Sequence, residues 1–122
     1  MLYMLLCYNN EAMVTGWTQE EDDAVMARLS VVHDKLTAEG KLGPSGRLKA
    51  TSTAKTLMKG ESPFVVDGPY AETKEQFLGF YLIDVASMDD ALDAARQLGE
   101  ANPTGAYEVR PMSLFLPGGA VG

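Results

Sequence analysis

The side chains best suited to chemistry crowd into one stretch, Asp67-Gly68-Pro69-Tyr70-Ala71-Glu72-Thr73-Lys74-Glu75-Gln76. It is set between the apolar runs Phe64-Val65-Val66 and Phe77-Leu78-Gly79-Phe80-Tyr81-Leu82-Ile83. A chain that leaves and re-enters a packed sheet within about ten positions does so through a shaped loop. Asp67 closes the first apolar run, where partial burial would raise a carboxyl pKa toward the range useful for proton transfer. The same letters also spell a turn, with the aspartate bonding its own backbone and the proline fixing a φ. Asp67 is therefore either a catalytic acid–base group or a turn residue. Tyr70, Glu72 and Lys74 make up the loop's candidate substrate-binding set, with Lys74 the natural contact for an anion, and solvation of the loop is the competing reading.

His33 is the single histidine, and so the one side chain whose ordinary titration falls near neutral pH. At helical spacing it flanks an apolar stripe, where it either points into a cleft as a catalytic group or sits at the edge of the core. Asp34 is turned about 100° away on a helix, so the adjacent letters do not make a dyad. Arg47 can hold a substrate carboxylate through two parallel hydrogen bonds, or simply be solvated. Glu108 and Arg110 lie two apart on one strand and share a face. Arg110 is a candidate substrate contact, or a structural cation paired with Asp67 or Glu72. One histidine and one cysteine leave only carboxylates without calcium-loop spacing, so no metal is expected. The glycines sit in turns between strands, so no phosphate or dinucleotide loop and no cofactor is expected.

The 122 residues suit one domain with one core. A net charge of −7 argues against nucleic acid as partner. No window approaches the ~20 apolar residues of a membrane span. The apolar start over 1–8 has no basic leader and no small-residue cleavage pattern, which makes it a strand and not a signal sequence. One cysteine, Cys7, excludes an internal disulfide and agrees with a reducing, cytoplasmic setting. In an apolar strand it reads as a small core residue.

These groups must be positioned by a short list of elements. Residues 2–8 are apolar on both parities, as is the run 77–85, so both read as central strands covered on both sides. Residues 9–17 read as a connection. Thr18-Gln19-Glu20-Glu21 is a capping box that starts a helix, whose Val25, Leu29, Val32 and Leu36 face the core and which stops at Gly40. The bend 42–46 leads to a short strand over 47–50. Strands over 53–59 and 62–66 then flank a two-residue hairpin loop at Gly60-Glu61. Ser87 caps a second helix, with Met88, Ala91, Leu92, Ala95 and Leu98 on one face. A last strand runs from Tyr107 to about Phe115. Residues 1–116 form the domain, and the tail 117–122 is expected to fray.

This order is that of an α+β, ferredoxin-like antiparallel sheet with two helices on one face and an inserted hairpin. Two helices cover one face only, so a second copy of the sheet is expected to cover the other in a homodimer. Asp67 to Gln76, then Gly79-Phe80-Tyr81-Leu82-Ile83-Asp84 and Glu108-Val109-Arg110-Pro111, resemble the signature of the YCII-related family in its DGPF-motif group. The resemblance implies a dimeric α+β barrel with a cleft. It does not carry over the His-Asp pair suspected in some relatives, since that histidine falls near the position of Leu29. By analogy with lactone isomerases and dehydrochlorinases it implies acid–base chemistry on a small polar, ring-shaped organic acid. The alternative it implies is a ligand-binding or regulatory module partnered with an extracytoplasmic-function sigma factor.

Overall fold

A computed structural model describes residues 1–121. In chain order it contains β1 (Leu2–Asn9), α1 (Glu11–Thr15), α2 (Gln19–Ala38), β2 (Leu42–Arg47), β3 (Lys55–Met58), β4 (Phe64–Asp67), β5 (Gln76–Asp84), α3 (Met88–Ala101) and β6 (Ala106–Pro111). The two strands apolar on both parities lie side by side. β1 pairs antiparallel with β5, and the main sheet runs β2-β5-β1-β6. This is the mixed α+β, ferredoxin-like architecture with an antiparallel sheet. β3 and β4 form a separate two-stranded ribbon, the inserted hairpin.

The pleat sorts the central strands into two faces. Tyr3, Leu5 and Cys7 stand opposite Ile83, Tyr81 and Gly79, and this face packs with Val25, Leu29 and Leu36 of α2 and with Ala91, Ala94, Ala95, Leu98 and Ala101 of α3. Leu5, Leu36, Ile83 and Leu98 are fully buried, each contributing about 1.5–3 kcal/mol. The other parity of β1, with Leu2, Met4, Leu6 and Tyr8, is only half-buried.

The helix starts follow their caps. Thr18 accepts from the Glu21 amide at 3.1 Å and the Glu21 carboxylate accepts from the Thr18 amide at 3.3 Å, the expected box. Ser87 accepts from the Asp90 amide at 3.2 Å and opens α3. Gly40, with φ of 72°, follows the end of α2.

Five local expectations are corrected. Residues 9–17 are not a bare connection, because Asn10 accepts from the Met13 amide at 3.0 Å and caps α1. The strand expected over 47–50 lies earlier, over Leu42–Arg47, because an edge strand tolerates Gly43 and Pro44 at a register shift. The hairpin loop spans 59–63 and not two residues, since Met58 pairs with Phe64 and Pro63 brings no ladder donor. The buried face of α3 is rotated. Ala94 and Ala101 lie in the core while Met88 is 36 % exposed, since small side chains let α3 pack closely on β6 and α2. β6 ends at Pro111 and not near Phe115. Met112 makes the last bond, to the Leu2 carbonyl at 2.9 Å, and residues 113–116 form no strand. Residues 117–121 form no helix or strand, and the part of the tail expectation that concerns Gly122 lies outside the described residues.

Candidate functional site

A cleft of about 600 Å³ opens between α2 as far as His33, α1 and the core face of the sheet. Each wall follows from the local sequence. The capping box sets where α2 begins, which brings Asp22, Val25, Met26, Leu29 and His33 to one side at three- and four-residue spacing. Gly79 sets the opposite wall. A Cβ there would lie 2.6 Å from the Gly46 carbonyl oxygen, so glycine lets β2 close on β5 and delivers Arg47 to the cleft. α1 forms the third side. Its Glu11 amide donates to Gln76 Oε1 at 2.9 Å, and its carboxylate accepts from the Thr51 amide at 2.9 Å and hydroxyl at 2.7 Å.

Across the cleft wall, His33 Nε2 and the Tyr81 hydroxyl meet at 2.9 Å, with the two rings edge to face at 5.4 Å. Burial pushes the Tyr81 phenol up to about 12, helped by Cys7 and opposed by Arg47. Burial lowers the His33 pKa from its ordinary value, against a smaller opposing pull from Asp34. A protonated phenol beside a neutral imidazole assigns the direction of the bond: Tyr81 donates and Nε2 accepts. Tyr107 packs edge to face on Tyr81 at 6.3 Å, and burial raises its phenol above the ordinary range. Burial also pushes the Cys7 thiol to about 12, which keeps it protonated and agrees with the core reading.

The folded pKa of His33 lies below its unfolded value, so between the two the unfolded chain holds a proton that the native chain lacks. Protonation then favours unfolding. Stability rises with pH through this window, levels off above about 6.5, and carries the full penalty below the folded pKa. His33→Gln, which keeps an acceptor for Tyr81, is expected to lose less melting temperature between pH 7 and pH 5 than the parent chain. Parallel calorimetry curves for the two chains would remove the assignment.

Arg47 reaches across the mouth of the cleft, where Nη2 donates to Asp22 Oδ1 at 3.3 Å and lies 3.4 Å from Met26 Sδ. The other end holds Asn9, the one buried polar residue among those described, whose amide donates to Thr104 Oγ1 at 3.0 Å.

Of the residues expected from sequence, the fold brings His33 and Arg47 together in this cleft. Asp67, Tyr70, Glu72, Lys74 and Arg110 lie outside it. Asp67 ends β4 with its side chain 87 % exposed and pairs with Lys55 Nζ at 2.6 Å, so the partial burial expected of it is not found. Nor does it bond its own turn, since the Gly68 amide donates to the Ala54 carbonyl. Tyr70 is 79 % exposed, and Glu72 and Lys74 are exposed beside it. Arg110 faces away from the helices on β6, with Glu108 as neighbour at 3.9 Å and not Asp67 or Glu72. Tyr81 and Asp22 were not singled out by sequence reasoning. The signal for Tyr81 was its core-facing parity in β5, which puts a hydroxyl where an apolar side chain is the norm.

A family model described as the YCII-related domain matches residues 1–116. An uncharacterized protein from Rhizobium meliloti (strain 1021) is 58 % identical over 121 residues, covering 97 % of each chain. Among solved structures, 5-chloro-2-hydroxyhydroquinone dehydrochlorinase (TftG) from Burkholderia phenoliruptrix AC1100, in complex with 2,5-dihydroxybenzoquinone, aligns over 93 % of this chain and 94 % of its own. Its TM-score is 0.51 at 17 % identity, a likeness of fold.

Proposed function

The chain belongs to the YCII-related domain family, and on that premise we propose that its cleft performs acid–base chemistry on a small ring-shaped organic acid, phenols included. The 2.9 Å bond between His33 and Tyr81 in the wall of a ligand-sized cleft carries this reading. A substrate hydroxyl gives its proton to the Tyr81 oxygen while the Tyr81 proton passes to His33 Nε2. One O–H bond breaks on the substrate, one is exchanged on the tyrosine, and one N–H bond forms. The electron pair left on the substrate oxygen spreads into the ring, where a carbon becomes basic and can take a proton. When the proton passes to His33, Arg47, paired with Asp22, still has guanidinium N–H groups to donate to this anion. Trp17, Val25 and Leu29 offer flat and aliphatic surface for a ring. The dihydroxybenzoquinone bound by the dehydrochlorinase fits the same class of ligand.

The test uses a panel of dihydroxybenzenes, trihydroxybenzenes and hydroxybenzoates. Trp17 is the single tryptophan and lines the cleft, so quenching of its fluorescence reads occupancy. Proton NMR in heavy water then reads deuterium entering the ring carbons. At least one compound is expected to quench Trp17 and to exchange faster with the protein than in buffer. Quenching without exchange would make the protein a ligand-binding module. If no compound does either, the reading fails.

The same reading includes a homodimer. Leu57, Phe64 and Val65 of the hairpin are 59, 59 and 60 % exposed, and a two-stranded ribbon alone is marginal in water. The half-buried parity of β1 adds a second apolar surface. Light scattering at micromolar concentration is expected to give twice 13.2 kDa, and a stable single subunit would remove the dimer.

A further inference from the structure

Arg47 is not a free cation waiting for an anion. Its Nη2 is bonded to Asp22, 25 residues earlier in the chain, across the cleft mouth, and the Asp22 side chain is the more enclosed of the two, 29 % against 60 % exposed. Glu11 is the other charged side chain among the described residues that line the cleft, and both its oxygens are occupied by Thr51. With His33 neutral, the lining carries one positive and two negative charges, a net −1. A ring that arrives already ionised meets a cation whose charge is cancelled and a second carboxylate beyond it. An uncharged ring meets donors and acceptors without that penalty, and Arg47 keeps unshared guanidinium N–H groups for the negative charge that develops after the proton leaves.

We infer that Asp22 is a specificity-determining residue, and that by neutralising Arg47 it makes the cleft select the uncharged, hydroxylated form of a ring over a ring carboxylate. This rests on the proposed function, whose acid is ionised on the protein and not before it binds. Asp22 touches Arg47, so it acts through the arginine, and the ratio of two affinities reports it where loss of stability would not.

Resorcinol and 3-hydroxybenzoate separate the cases, because at pH 7 they differ chiefly in one negative charge. Trp17 fluorescence on the full chain is expected to show tighter binding of resorcinol. In Asp22→Asn, 3-hydroxybenzoate is expected to gain about three- to fivefold in affinity while resorcinol stays within about twofold, the size of one partly exposed charge interaction. In Arg47→Gln, which leaves both carboxylates and no cation, 3-hydroxybenzoate is expected to lose about three- to fivefold. The second variant keeps the inference open to refutation if Asp22→Asn folds poorly. Equal affinities in the parent chain, a ratio unmoved in folded Asp22→Asn, or a 3-hydroxybenzoate affinity unmoved in Arg47→Gln would overturn it. If neither compound quenches Trp17 in any of the three proteins, the proposed ligand class fails and this inference with it.

Discussion

Gly105→Ala is expected to destabilise the protein by roughly 3 kcal/mol or more. Gly105 has φ of 83°, and a Cβ built there lies 2.2 Å from the Tyr8 carbonyl oxygen and 2.9 Å from Asn9 Cγ. The left-handed backbone alone costs an alanine about 1–2 kcal/mol. The clash with backbone cannot be relieved by a rotamer, so the 102–105 turn must lift off the end of β1. That movement breaks the bonds from Asn9 Nδ2 to Thr104 Oγ1 at 3.0 Å and to the Thr104 carbonyl at 3.4 Å, at about 1 kcal/mol apiece. A melting temperature lower by about 10 °C follows for a domain of this size. Gly40→Ala is the control, because Gly40 also has positive φ, 72°, but nothing lies within 4 Å of its Cβ. It is expected to cost only the backbone term, about 1–2 kcal/mol. Equal losses in the two variants would show that the close approach to Tyr8 contributes nothing.

The second large effect concerns turnover. On a compound from the panel that exchanges deuterium, Tyr81→Phe is expected to lower the exchange rate by about 10²- to 10⁴-fold, the span of a positioned proton-transfer group. His33→Gln is expected to fall in the same span. The double variant should be little slower than the worse single one, because a relay that has lost either member is already broken. Stability should move much less. Tyr81→Phe gives up one hydrogen bond, worth about 1 kcal/mol, and keeps the ring that packs on His33 and Tyr107. An exchange rate within about threefold of the parent in Tyr81→Phe, with the fold intact, would sink the relay. Losses that multiply in the double variant would show two independent groups, and His33 would then not act through Tyr81.

The site was partly legible from the letters. His33 could be singled out because it is the one histidine and lies on the flank of a stripe of helical period, and Arg47 because it sits beside Gly46 at the end of a short strand. Both are properties of local spacing. For Tyr81 the letters offered only a hydroxyl on a strand that is apolar on both parities, and alternation assigns it to the core, where it does lie, 9 % exposed. What makes it chemical is a contact to His33 across 48 residues. Asp22 shows the same gap. In the sequence it is one of four acidic residues in the first turns of a helix, fully accounted for by the helix dipole. Its pairing with Arg47 depends on how far β2 closes on β5, and Gly79 sets that.

The loop 67–76 is the reverse case. Its density of polar groups marks it as a site in the sequence, and the apolar runs on either side do form strands. Yet β4 belongs to a separate ribbon, so Asp67 projects with Lys55 away from the cleft.

What the sequence by itself determined is the main elements and the layer they form, with α1 and the bounds of β2 and β6 left to the structure. Capping chemistry starts α2 and α3, apolar periodicity chooses strand or helix, and two doubly apolar strands must be neighbours at the centre. Those signals are short-range or additive along the chain, so they can be read without coordinates. The tertiary structure alone decided which polar groups meet. Contacts such as His33 to Tyr81 and Asp22 to Arg47 depend on register, on glycine-permitted approach and on helix placement to within an ångström or two, and no local pattern encodes a distance between segments far apart in the chain.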